Sequence, residues 1–136
     1  MKTSDQGIAF IKRNEGFSAH VYNDAGKQAI GYGHDLKPDE SFPDGITEAQ
    51  ATGILKQDVA SAEEAVNALV PSDCNQGQFD ALVDFCFNLG AHSLQTMLTH
   101  GWDDVPNQIP RWVHVNGTVS VGLLARRKAE VEMFNS

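Results

Sequence analysis

Residues 15–36 read EGFSAHVYNDAGKQAIGYGHDL. Glu15 and Asp24 stand nine positions apart, and Gly31 and Gly33 bracket Tyr32 just ahead of His34. Two carboxylates divide general acid and general base work when their surroundings hold one protonated and the other ionised. Glu15 falls at the expected end of a helix, beside Gly16 and Phe17. There the negative end of the helix dipole favours a carboxyl that keeps its proton. Asp24 falls in a turn after Tyr22 and Asn23, where water and backbone N–H groups can keep a carboxylate charged. One protonated and one ionised carboxylate is the pairing that glycoside hydrolysis requires. The alternative for a lone Glu and Asp is a solvated surface, and for IGYGH a tight turn between strands. The two glycines also let the backbone pass close to a ligand or a neighbouring helix.

The elements around these residues follow from pattern. Thr3 with Gln6 fits a capping box ahead of Ile8, Phe10 and Ile11, which predicts a helix ending near Gly16. Val21 and Tyr22, the turn-rich NDAGK, then Ala29, Ile30 and Tyr32 predict a hairpin or small three-stranded sheet. KPDESFPDG reads as loop. Thr47 with Gln50 forms a second capping box, and Ile54, Leu55, Val59, Ala62, Val66 and Leu69 recur at helical spacing up to Pro71. Asn75 with Gln78 opens a further helix, apolar nearly all round and closed by Gly90, as expected of a buried central helix. Short helices are expected over 93–100 and 104–113. A longer one, basic on one face, is expected over 122–134. The order predicts a single α+β domain over residues 1–136, with a small β-containing lobe joined by a long helix to a helical lobe. A ligand is expected in the cleft between lobes.

Composition sets the wider limits. The 136 residues are 41% hydrophobic, enough for one core. No apolar run reaches the roughly 20 residues of a membrane span. The first residues, MKTSDQGIAFIKRNEG, lack a signal-peptide pattern, so a protein without an export signal of its own is expected. A net charge of −8 argues against nucleic acid as partner. A local basic face is still possible, because Arg111, Arg126, Arg127 and Lys128 lie in the last quarter. Cys74 and Cys86 are not a CxxC pair, which argues against structural zinc. Two buried thiols or one disulfide both remain open.

Taken together, EGFSAHVYND with IGYGH resembles the active-site segment of the phage-type lysozymes, the endolysins that hydrolyse peptidoglycan. The resemblance continues in order through GITEAQATGILKQDV, NQGQFDALVDFCFNLG and PRWVHVNGTVSVGLLARRKAEVEMF, and so covers nearly the whole chain. It implies a lysozyme-like α+β fold and a muramidase. That enzyme would cut the β-1,4 bond between N-acetylmuramic acid and N-acetylglucosamine, with inversion and with no metal or other cofactor. By the same resemblance Glu15 is the general acid and Asp24 the second carboxylate. Asn88, Tyr32 and Gly33 border the substrate. Arg126 stands beside the catalytic Glu, and His34 with Asp58 forms a stabilising salt bridge between sheet and long helix. Bacterial peptidoglycan is the implied partner, with no nucleic acid and no membrane insertion, and the protein is expected to be a monomer. It is expected to accumulate in the cytoplasm of an infected or lysogenic host and to reach the wall through a separate membrane lesion.

Two departures stand out. The family carries a Thr before IGYGH, which helps hold the attacking water. This chain has Ala29 there, on a connection one residue shorter, and the strict count lands on Ile30. Three readings follow: hydrolysis with water held otherwise (Gln28 being a candidate polar group), a displaced Asp24, or sugar binding without hydrolysis. A lytic transglycosylase, which needs no held water, is the rival enzyme. The acidic balance is the second departure, since peptidoglycan is itself anionic. Steering toward the wall should be weak or repulsive, so moderate salt should help lysis or leave it unharmed.

Overall fold

The computed structural model describes all 136 residues. They form two compact units: Ile8–Ala60, and Met1–Gly7 with Ser61–Ser136. The first holds a small antiparallel sheet and the second is mainly helical, as the sequence predicts.

Helix α1 (Asp5–Glu15) starts one residue later than the Thr3 capping pattern predicts. Ser4 is the cap, its Oγ accepting from the Gly7 N–H at 3.1 Å. Thr3 turns instead to Glu63, donating its backbone N–H at 2.6 Å and its hydroxyl at 2.8 Å. Both residues are chemically able to cap, and a carboxylate 60 positions away decides between them. At the far end the Gly16 N–H closes α1 on Lys12 O at 2.9 Å.

Strands β1 (Ser18–Asp24), β2 (Lys27–Gly31) and β3 (His34–Asp35) follow in sheet order β1-β2-β3. β1 and β2 are joined by the tightest possible hairpin, with Asp24 opposite Lys27. Its two central residues, Ala25 at φ 52° and Gly26 at φ 88°, both lie in the left-handed region. That is the signature of the turn whose twist matches paired strands. Asn23 Oδ1 steadies it by accepting from the Gly26 N–H at 2.9 Å.

Helix α2 (Glu48–Leu69) opens on the predicted capping box. Thr47 Oγ1 accepts from the Gln50 N–H at 3.1 Å, and Gln50 Oε1 accepts from the Thr47 N–H at 2.8 Å. Its buried stripe is Ala51, Leu55, Val59, Ala62 and Val66. The division between the two units falls inside this helix, after Ala60.

In the second unit, α3 (Gln76–Leu89) carries the Asn75–Gln78 capping box and ends at Gly90, whose N–H reaches Cys86 O. Every residue from Phe79 to Cys86 is buried. Each large apolar side chain fully buried here contributes about 1.5–3 kcal/mol of transfer free energy. α3 packs against α6 (Val121–Phe134). Between them come α4 (Ala91–Leu98), a 3₁₀ turn at Trp102–Asp104, α5 (Val105–Gln108) and a second 3₁₀ turn at Ile109–Arg111. The one helix expected over 104–113 is thus three short pieces, broken by Pro106 and Pro110. A hairpin of β4 (His114–Val115) and β5 (Thr118–Val119) precedes α6. Its turn, Asn116-Gly117 at φ 51° and 80°, is the strongest short hairpin signal in the chain, yet it was not part of the sequence expectation.

The basic face expected on α6 is replaced by a buried charge cluster. Asp84 has no exposed surface and accepts two bonds from Arg126, Nε to Oδ2 at 2.9 Å and Nη2 to Oδ1 at 2.7 Å. Arg127 and Glu130 are also fully buried, with Arg127 Nη2 donating to Glu130 Oε2 at 2.8 Å. Burial pushes the Glu130 carboxyl up to about 10, and the neighbouring Asp84 carboxylate adds to the effect. Both cysteines are free thiols, Cys86 buried and Cys74 half-buried. Burial raises both above the usual thiol range. No helix is long and apolar enough to cross a membrane.

Candidate active site

Glu15, Asp24, Tyr32, Gly33, His34 and Asp58 all fall within the Ile8–Ala60 unit. Glu15 is the last residue of α1, and Asp24 is the last residue of β1, at the hairpin turn. Gly33 lies at φ 71°. A β-carbon at that position would stand 2.7 Å from Glu15 Oε2. The absence of a side chain on residue 33 therefore makes room for the Glu15 carboxylate against the backbone between β2 and β3.

Sheet register sorts the remaining groups by face. Tyr22 is directly across from Ala29, and Ala29 from Asp35, so the three form one cross-strand row. Asp24, two residues after Tyr22, shares that face. The Tyr22 phenol is raised above the usual tyrosine range, first by burial, then by the charges of Asp24, Glu15 and Asp35. The two candidate catalytic carboxylates thus act on one phenol, and Asp35 is a third.

Gln28, the polar group considered as a substitute for the missing Thr, is on the other face. It pairs with Asn23 and lines a pocket of about 370 Å³ with His20, Val21, Leu36, Glu40 and Ser41. Its parity in the strand, one residue before Ala29, turns it away from Tyr22 and Asp24. Ala29 itself has no exposed surface, so the methyl group does not border open solvent.

His34 is buried and held at both ring nitrogens, Nδ1 2.7 Å from Asp58 Oδ2 and Nε2 2.9 Å from Glu40 Oε1. The Glu40 contact was not foreseen. Glu40 also accepts from the Lys37 N–H at 2.8 Å, which fixes the loop after β3. Burial by itself would lower the His34 ring, but the two carboxylates outweigh it and raise it above the usual histidine range. The same contacts, led by the Lys37 N–H, lower Glu40.

Tyr32 is 8% exposed and donates its hydroxyl to Glu48 Oε1 at 2.9 Å. Glu48 also accepts from Lys12 Nζ at 3.0 Å and from the Thr52 hydroxyl at 3.0 Å. The Tyr32 ring stacks obliquely on Phe17, with centroids 5.5 Å apart. These contacts fix the Tyr32 ring in the wall of the sheet region. In the helical unit, Asn88 Oδ1 accepts from Arg127 Nη2 at 2.7 Å, and Arg126 holds Asp84. No group of three or more His, Cys, Asp or Glu side chains is arranged to hold a metal ion.

The family pattern of the phage lysozymes matches residues 12–130. The chain is a member of the phage lysozyme family. It is 35% identical over 148 residues to the endolysin of Bacillus phage PZA, a match that takes in all of this chain and 56% of that protein. It is 32% identical to the endolysin of Acyrthosiphon pisum secondary endosymbiont phage 1, covering 100% of this chain and 99% of that one. Among solved structures, the muramidase domain of SpmX from Asticaccaulis excentricus superposes with a TM-score of 0.85 at 32% identity, covering 99% of this chain and 98% of that one. The fold is therefore lysozyme-like. The chain spans little more than half the length of the PZA endolysin.

Proposed function

We propose that this phage lysozyme family member is a peptidoglycan hydrolase that cuts the β-1,4 bond between N-acetylmuramic acid and N-acetylglucosamine. The observation that carries the reading is the Glu15 carboxylate against the Gly33 backbone, with the Tyr22 phenol in the field of both Glu15 and Asp24. Glu15 protonates the leaving oxygen, and Asp24 serves the opposite side of the reaction, where water enters or positive charge develops. Gly33 borders the reacting sugar. His34 and Asp58 hold the sheet in place and take no part in the chemistry. Asn88 as a substrate contact and Arg126 as a supporting residue enter through the family resemblance alone.

The reaction needs no cofactor, and inversion is the expected stereochemistry, readable by NMR of the first anomer released. The protein works as a monomer on bacterial peptidoglycan. It accumulates in the host cytoplasm and reaches the wall through a separate membrane lesion.

Mass spectrometry of fragments released from purified peptidoglycan tests the reading against its rivals. Reducing-end muropeptides from the wild type, absent with Glu15→Gln, are the expected result. Anhydro-ended fragments would assign a lytic transglycosylase instead. Wall binding by both proteins with no fragments from either would assign a binding module.

A further inference from the structure

Hydrolysis, as proposed above, needs a water molecule held and aimed at the anomeric carbon. A single carboxylate accepts hydrogen bonds but donates none, so it fixes a water poorly in orientation. A hydroxyl both donates and accepts. On the face that carries Asp24, residue 29 offers only a methyl group, and that methyl is fully buried. Gln28 faces the other way.

The cross-strand row places one hydroxyl on this face. Tyr22 sits opposite Ala29 and two residues before Asp24, and it is only half-buried. The residue opposite Tyr22 is small, and Asp35 lies exposed at the far end of the row. Glu15 on α1, Asp24 on β1 and Asp35 on β3 are the charged groups whose fields reach the phenol. Lys27, across from Asp24 on β2, is the cation of the same face.

We propose that Tyr22 is the water-positioning residue of this site: its hydroxyl orients the water that attacks the anomeric carbon while Asp24 accepts that water's proton. The inference rests on the hydrolase reading. In the step, the water oxygen bonds to the anomeric carbon as the glycosidic C–O bond breaks. The Glu15 proton goes to the leaving oxygen and one water proton goes to Asp24, so one water is consumed and solvent restores both carboxyls. The phenol stays protonated throughout, a state favoured by burial and by the carboxylates of Asp24 and Asp35. Tyr22 therefore acts through the water and not on the sugar.

The test is Tyr22→Phe, which removes one oxygen and keeps the ring over Ala29. With purified peptidoglycan, kcat is expected to fall about tenfold or more with KM little changed. The products should also shift from reducing-end toward anhydro-ended or transglycosylated fragments, because a sugar hydroxyl competes better when water is no longer held. A purely structural role would not move that ratio. A second measurement covers the case of a poorly folded variant. The chain has two tyrosines, so in Tyr32→Phe protein made with 3-fluorotyrosine the only label is at position 22. Its more acidic phenol donates a stronger hydrogen bond to the water, so the ratio of reducing-end to anhydro-ended products should change. Unchanged kcat and product ratio in Tyr22→Phe, or an unchanged product ratio in the fluorinated protein, would overturn the proposal. If the wild type releases no fragments at all, the hydrolase reading fails first and takes this one with it. The two failures are thereby distinct.

Discussion

A β-carbon on residue 33 and the carboxylate of Glu15 compete for the same space, since the two would stand 2.7 Å apart. The glycine before His34 thus serves the acid at the end of α1 as much as the turn between β2 and β3. Gly33→Ala adds two faults together, an alanine at φ 71° and a displaced carboxylate. The conformational fault alone costs about 1–2 kcal/mol. A lower melting temperature is expected, with wall lysis reduced further than the lost folded fraction explains. Wild-type specific activity per folded molecule would show that the space beside Glu15 does not matter.

The hairpin turn is open to improvement. Ala25 occupies a left-handed conformation that alanine adopts at a cost of about 1–2 kcal/mol. Asn is the residue this turn prefers ahead of Gly26. Ala25→Asn is expected to raise the midpoint of urea denaturation by an amount equivalent to about 0.5–1 kcal/mol. An unchanged or lower midpoint would mean that Ala25 is not strained.

His34 gives stability a pH dependence whose sign is fixed. Its folded form binds a proton more tightly than the unfolded chain, because Glu40 and Asp58 outweigh burial. The contribution is complete below the usual histidine value of about 6.5. It is lost as pH rises through the raised folded value. Each unit of that rise corresponds to about 1.4 kcal/mol. Glu40, lowered in the fold, contributes above the usual carboxylate value of about 4.3 and loses its effect in acid. Chemical denaturation from pH 4 to 9 should show a decline above about 6.5 in the wild type, and His34→Asn should flatten it. A decline equally steep in the variant would assign it elsewhere.

The charges between α3 and α6 should respond unequally to neutralisation. Asp84→Asn removes the charge of the carboxylate that accepts two bonds from the buried Arg126 guanidinium, a loss of about 3–5 kcal/mol. Burial pushes the Glu130 carboxyl up to about 10, which lessens the negative charge it brings to its pairing with Arg127. Glu130→Gln should therefore cost far less than Asp84→Asn. Because the Glu130 contribution fades as pH climbs toward about 10, this variant should also gain on the wild type in alkali. Equal losses for the two variants at pH 7 would contradict the assignment.

Moderate salt should leave wall lysis intact or raise it, since screening weakens the repulsion between a chain of net charge −8 and an anionic wall. A steep loss of lysis with added salt would point to a basic contact surface.

What the sequence told and what it withheld divide along physical lines. Thr47 with Gln50 and Asn75 with Gln78 were legible as helix starts because each cap bonds to its own neighbours. Thr3 misled because its partner, Glu63, is far along the chain. The Arg126–Arg127 pair read as a basic surface because nothing local reveals that Asp84, on another helix, lies against it. The same holds for Glu40 on His34. Gln28 shows a third limit: composition offered a polar group near Ala29, and only strand parity shows that it faces away. Glu15, Asp24 and the glycines stood out through their motif. Tyr22 and Asp35 required the register of three strands to join them.

Sealing Arg126 and Arg127 inside the helical unit also changes how the molecule presents itself. Of the densest run of positive charge in the chain, only Lys128 is left exposed to a resin, polymer or membrane. A cation-exchange column at neutral pH should let the protein pass, while an anion exchanger should hold it firmly. On the proposed function, binding to the anionic wall would then rest on close-range contact rather than on charge.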